Sequence, residues 1–148
     1  MGKIIGLVAC SKKKLPEAEK NPNKMYSAQE MYKGRIFLQA KEYAGRNCKD
    51  WFILSGKYGF LEKDEKISYY NSYIKDKPAS DRRIWAEKIL QALKKKGFDL
   101  RKDKFVILGG KPYYENLCKH LNCIVFRCYS GGIYFDKVID EYSNNGGE

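Results

Sequence analysis

Ser11 and Lys14 stand in Cys10-Ser-Lys-Lys-Lys14, and Ser55 and Lys57 in Ser55-Gly-Lys-Tyr-Gly59. Hydroxyl and ammonium groups two or three residues apart, the second pair flanked by glycines, can meet a phosphate or carboxylate together with backbone amides. These four residues are the candidate catalytic set. Acid–base chemistry also needs a carboxylate or its equivalent near the reacting atom. Asp64, just past the second loop, suits that role better than Glu30, which has a capping position, or Asp81, in a first helical turn. Cys10 reads either as a thiolate nucleophile aided by its lysines or as a small half-buried residue, since no histidine is placed to pair with it. Ser55 either polarises a ligand oxygen or only caps its own loop.

A third loop, Gly109-Gly-Lys-Pro-Tyr113, ends a third apolar run. The ligand-binding candidates are therefore Cys10, Lys12, Lys13, Gly56, Tyr58, Gly109, Gly110 and Tyr113, with Tyr32 and Tyr70 available to stack a base or to pack under a loop. Neither the spacing of a Walker phosphate loop nor Gly-x-Gly-x-x-Gly is present. Cys118, Cys123 and Cys128 are evenly spaced, but Cys123 and Cys128 bracket one strand about 16 Å long at roughly 3.3 Å per residue. One tetrahedral ion with bonds of about 2.3 Å cannot hold both, and His120 does not repair this. No metal and no cofactor is expected.

The elements that must carry these loops alternate. Apolar runs at Lys3–Ala9, Trp51–Leu54, Lys104–Leu108 and Cys123–Cys128 read as buried strands of a parallel sheet. Ser27-Ala-Gln-Glu30 has the form of a capping box and predicts a helix to about Ala44, with Ile36, Phe37, Ala40, Tyr43 and Ala44 inward. Residues 60–79 show no clear period. A helix opens at Ser80-Asp81 and ends at Gly97, Pro112 starts a short helix reaching Leu121, and Ile133–Tyr142 has helical apolar spacing. The order predicts one α/β domain over 1–143, three-layered, with a mainly parallel four-stranded sheet, and a disordered tail at 144–148. Ligands of such sheets bind outside the carboxyl ends of the strands. The three loops are thus expected to meet around a single hollow.

The chain has 148 residues and a net charge of +11, with 12 tyrosines and basic clusters at 12–14, 94–96 and 101–104. Positive charge mixed with aromatic rings suits a nucleotide or nucleic acid, DNA or RNA, although the lysine run after the second helix also complements that helix's dipole. No run of about 18 apolar residues exists, so no membrane span is expected. The start of the chain does not read as a signal peptide, and a cytoplasmic location is expected. Five cysteines, an odd count, do not suggest a disulfide framework in that compartment.

Val8-Ala-Cys-Ser-Lys-Lys-Lys14, Met31-Tyr32-x4-Phe37, Ile53-Leu-Ser-Gly-Lys-Tyr-Gly-Phe-Leu61, Asp64-x-x-Ile67 and Tyr70 resemble, in order and spacing, a family of small bacterial, archaeal and phage proteins of unknown function, some of them labelled peroxide-stress proteins. The Cys-Ser-x-x-Lys opening is also similar to that of the catalytic core of archaeosine synthase. The element order reads as Rossmann-like, and that resemblance implies a uracil-DNA-glycosylase-like fold and chemistry on a modified nucleobase, with Ser11 and Lys14 in the pocket. Tyr70-Asn71 stands where the family's Tyr-Asp is expected. If that acid is catalytic in relatives, activity here is lost or has passed to Asp64. Two function classes follow: an enzyme processing a nucleobase or nucleotide, including modified-base or N-glycosidic chemistry on nucleic acid, and a non-catalytic protein binding the same ligands.

Overall fold

Alternate residues of Ile4–Ala9 are apolar on both sides, so this first strand needs cover on both faces and neighbours on both edges. The computed structural model describes residues 2–128 and 135–139, with residues 127–128 and 135–139 described by backbone alone. In chain order its elements are β1 (Ile4–Ala9), α1 (Pro16–Lys20), β2 (Met25–Ser27), α2 (Ala28–Met31), α3 (Arg35–Asn47), β3 (Asp50–Ser55), β4 (Gly59–Leu61), β5 (Lys66–Ser68), a 3-10 turn (Ile74–Asp76), α4 (Ala79–Lys95), β6 (Lys104–Leu108), α5 (Lys111–Tyr114), β7 (Cys123–Cys128) and β8 (Phe135–Ile139).

The main sheet runs β4-β3-β1-β6-β7-β8, and β2 pairs with β5 in a separate antiparallel ribbon. The expected parallel strands form its centre: β1 lies between β3 and β6, with β7 beyond β6. Antiparallel β4 and β8 extend the sheet to six strands. Ile5, Leu7, Phe52, Leu54, Phe105 and Ile107 face Trp85, Ile89 and Leu93 of α4. On the other face Val8, Ile53, Val106 and Leu108 join Phe37, Ala40 and Ala44 of α3 in a second apolar cluster. The result is the three-layer α/β arrangement.

Five local expectations fail. The helix predicted from Ser27 to Ala44 is two helices. Ser27 makes no capping bond. The N–H groups of Ala28 and Gln29 go instead to the carbonyls of Glu65 and Lys63, at 2.8 and 2.9 Å. The chain is extended at Tyr32, and α3 restarts after Gly34. Ile36, predicted inward, is exposed, while Phe37, Ala40 and Ala44 are buried.

The helix after Pro112 is only one turn, followed by turns to residue 120. Phe135–Ile139, predicted helical, is a strand, because the free edge of β7 offers a hydrogen-bonding ladder that the local apolar spacing cannot reveal. The rest of that predicted helix and the 144–148 tail lie outside the described residues. Finally, Cys118 and Cys123 are paired as a disulfide, Cα atoms 5.9 Å apart, where the turns after α5 lead the chain back into β7.

Candidate functional site

Parallel strands place their carboxyl ends on one edge, so the loops after β1, β3 and β6 emerge side by side. The loop after β1 is laid along the segment before α3. Leu15 N–H donates to the Met31 carbonyl at 2.8 Å and Lys33 N–H to the Lys13 carbonyl at 2.9 Å. Ser11 closes the arrangement: its Oγ donates to the Lys13 carbonyl at 2.7 Å and accepts the Gly34 N–H at 3.1 Å. A Cβ on Gly34 would stand 2.6 Å from that of Ser11, so only glycine permits this approach.

Between this loop, the first turn of α3 and the Gly109-Gly110 turn lies a hollow of about 430 Å³. Phe37, Ala40, Leu108 and Tyr113 supply apolar wall, and Lys12, Lys13 and Arg35 also line it. The first bond inside α3 is from Leu38 N–H to the Gly34 carbonyl, which leaves the N–H groups of Arg35, Ile36 and Phe37 without an intrahelical acceptor. Cys10 Sγ lies 3.3 Å from the Tyr113 hydroxyl. Burial holds the Tyr113 phenol well above the ordinary tyrosine range, so it is protonated at neutral pH.

The loop after β3 is built differently. Ser55 is fully buried, and its Oγ accepts the N–H groups of Lys57 and Tyr58 at 3.2 and 3.0 Å. With both lone pairs used, its own proton goes to the Tyr70 hydroxyl at 2.8 Å, and Tyr70 then donates to Tyr32 at 2.6 Å. Burial raises both phenols above the usual range. Lys14, only 6% exposed, sits beside this chain. Its Nζ donates to the Lys12 carbonyl at 3.2 Å and lies 4.5 Å from the centroid of Tyr70, with Tyr73, Tyr69 and Tyr32 at 5.5 to 6.0 Å. Burial lowers its pKa from the ordinary lysine value.

The single hollow is in fact two. Gly56, Lys57 and Tyr58 line a second one of about 270 Å³ with Trp85 and Lys77. Trp85 lines this hollow and Tyr113 the first, and their rings stand 5.9 Å apart. Cys10, Ser11, Lys12, Lys13, Gly109, Gly110 and Tyr113 come together as expected in the first hollow. Lys14, Ser55, Tyr32 and Tyr70 form a buried network that lines neither. Gly56 does permit a close approach, but the approaching atoms are its own chain's: a Cβ there would meet Ile74 N at 2.9 Å. Asp64 is not at the site. It is exposed between β4 and β5, where its Oδ1 accepts the Gln29 amide at 2.7 Å.

Sequence reasoning missed Arg35 and Phe37, because residues 34–37 read as helix interior rather than helix start. It also missed Lys77 and Trp85 as lining residues. Lys33-Gly34-Arg35, a glycine inside a helical pattern, was the available signal.

Residues 5–130 match the family of unknown function DUF6884. The chain belongs to that family. All residues of both hollows fall within the matched span. The chain is also similar to the uncharacterized protein YfjM of Bacillus subtilis (strain 168), 28% identical over 114 residues, which cover 75% of this chain and 72% of that protein. Among the described residues no helix is long and apolar enough to cross a membrane, and no group of His, Cys, Asp or Glu could hold a metal ion.

Proposed function

We propose that the hollow between β1, β6 and α3 receives a nucleotide, free or within a nucleic acid, and that the protein acts on its base or glycosidic bond. One observation carries this reading. Within a single cavity of about 430 Å³, apolar and aromatic wall stands beside Lys12, Lys13 and Arg35 at the first turn of α3. A ligand matching that cavity has a flat, weakly polar body and an anionic group, the chemistry of a nucleoside phosphate. The volume is within the range of roughly 300–1,000 Å³ common to small-molecule pockets. Two groups in the wall could take part in chemistry: the Cys10 thiol, and the Tyr113 phenol, which burial keeps as a proton donor. The sequence likeness to the archaeosine synthase core at Cys-Ser-x-x-Lys agrees with base chemistry, with Ser11 as loop latch and Lys14 as buried support.

A second reading, a binding protein without turnover, is favoured by one fact: among the described residues no aspartate or glutamate lines this hollow. Titration calorimetry with the four nucleoside 5′-monophosphates tests the shared part. Micromolar binding of at least one is expected, weakened roughly tenfold or more by Arg35→Ala, the loss of a charge-assisted contact. Binding indifferent to Arg35 and Lys12 overturns the site. Chromatography of nucleotides and oligonucleotides after incubation separates the readings: turnover lost in Cys10→Ala or Tyr113→Phe, with affinity kept, marks the enzyme. Binding without any wild-type turnover marks the binding protein.

A further inference from the structure

We infer that the second hollow holds phosphates flanking the bound nucleotide, so that the protein's ligand is a single-stranded nucleic acid rather than a free nucleotide. This rests on the first hollow taking a nucleotide. Lys57, Lys77 and Lys88 line the second hollow against one acid, Asp81, and none of the three is in an ion pair among the described residues. Like charges gathered in a concave surface repel one another and favour an anion there. A mononucleotide seated in the first hollow leaves this charge unmet.

The two hollows are also continuous in kind. Both open at the carboxyl edge of the sheet, one at the ends of β1 and β6 and the other at the end of β3, and Tyr113 of the first is in ring contact with Trp85 of the second. Ammonium groups and rings alternate from one to the other. Lys12 Nζ lies 5.6 Å from the Tyr73 ring centroid beside the first hollow, and Lys57 Nζ lies 5.2 Å from that of Tyr58 in the second. The backbone of the segment bearing Tyr73 rests on Gly56 of the second hollow. A cationic track with stacking rings is the surface by which proteins hold single strands, because every base has a face to stack and every step a phosphate. Duplex readers instead offer a projecting helix or ribbon for a groove.

The test measures fluorescence anisotropy of a labelled single-stranded mixed-sequence nonanucleotide, made as DNA and as RNA, beside calorimetry of the mononucleotides. The wild type is expected to hold the nonanucleotide at least tenfold more tightly than any mononucleotide. Lys77→Ala/Lys88→Ala should weaken the nonanucleotide roughly five- to tenfold and reduce its salt slope by about 1.4, two contacts at about 0.7 each, while mononucleotide affinity stays within twofold. Lys57→Ala alone should act in the same direction. Lys94→Ala/Lys95→Ala, which removes equal charge from the far end of α4, should change neither. Preference between the DNA and RNA arms names the strand. Equal losses in both double variants, or a nonanucleotide bound no more tightly than a mononucleotide, overturn this inference alone. If the wild type binds neither, the nucleotide reading of the first hollow falls as well.

Discussion

The Oγ of Ser11 accepts the backbone N–H of Gly34 at 3.1 Å, tying the loop after β1 to the residue that caps α3. A strand end and a helix start are thereby held at a fixed separation, and the larger hollow lies between them. Ser11 acts on the site by holding its walls.

Ser11→Ala should therefore destabilise the protein by about 1 kcal/mol, the usual net value of one hydrogen bond. Gly34→Ala should cost more, about 1–3 kcal/mol, because its Cβ would stand 2.6 Å from that of Ser11 and force the two segments apart. Urea unfolding checks both. Combining them should cost less than the sum, since each breaks the same latch.

Tyr70→Phe removes the hydroxyl that links Ser55 and Tyr32. The Ser55 proton and the Tyr32 oxygen lose a partner in a buried setting, at a cost of about 1–3 kcal/mol. Tyr32→Phe takes away only the far end of the chain and should cost less. A double-mutant cycle by chemical denaturation should give a coupling of about 0.5 kcal/mol or more. A coupling of zero would show that the hydroxyls do not act as one network.

Alkaline stability should report Cys48. Burial pushes this thiol from 9.0 up to about 11, so the folded state keeps its proton while the unfolded chain loses it. Its contribution is complete below pH 9.0 and is lost as pH rises through about 11. The buried phenols of Tyr32, Tyr70 and Tyr113 act in the same sense but only above pH 10, where unfolded tyrosines ionise. Lys14 and Lys41, lowered by burial, act oppositely, since the unfolded chain then binds more protons. Melting temperatures measured from pH 8 to 11 should fall less between pH 9 and 10 in Cys48→Ala than in the wild type. Identical curves would contradict the assignment.

The parallel strands and α4 could be read in the chain because their patterns are local. Trp51–Leu54 is uniformly apolar and ends at Ser-Gly, and Trp85, Ile89 and Leu93 recur at helical spacing. What failed depended on distant partners. Ser27 and Glu30 have capping-box spacing, but the carbonyls of Lys63 and Glu65 take the N–H groups of Ala28 and Gln29. The three loops were found for their residue types, yet types do not tell which way a side chain turns. Ser55 and Lys14 turn inward because Tyr32 and Tyr70, remote in sequence, surround them. Arg35 was hidden because the helix it opens was read as continuing from Ser27.

The most direct test is a crystal of the protein soaked with the nucleoside 5′-monophosphate that it binds most tightly. Base and ribose are expected against Phe37, Leu108 and Tyr113, with the phosphate at Arg35 and the first turn of α3. Phosphate in the Lys57–Lys77–Lys88 hollow with the first hollow empty, or ligand density away from the carboxyl edge of the sheet, would contradict it.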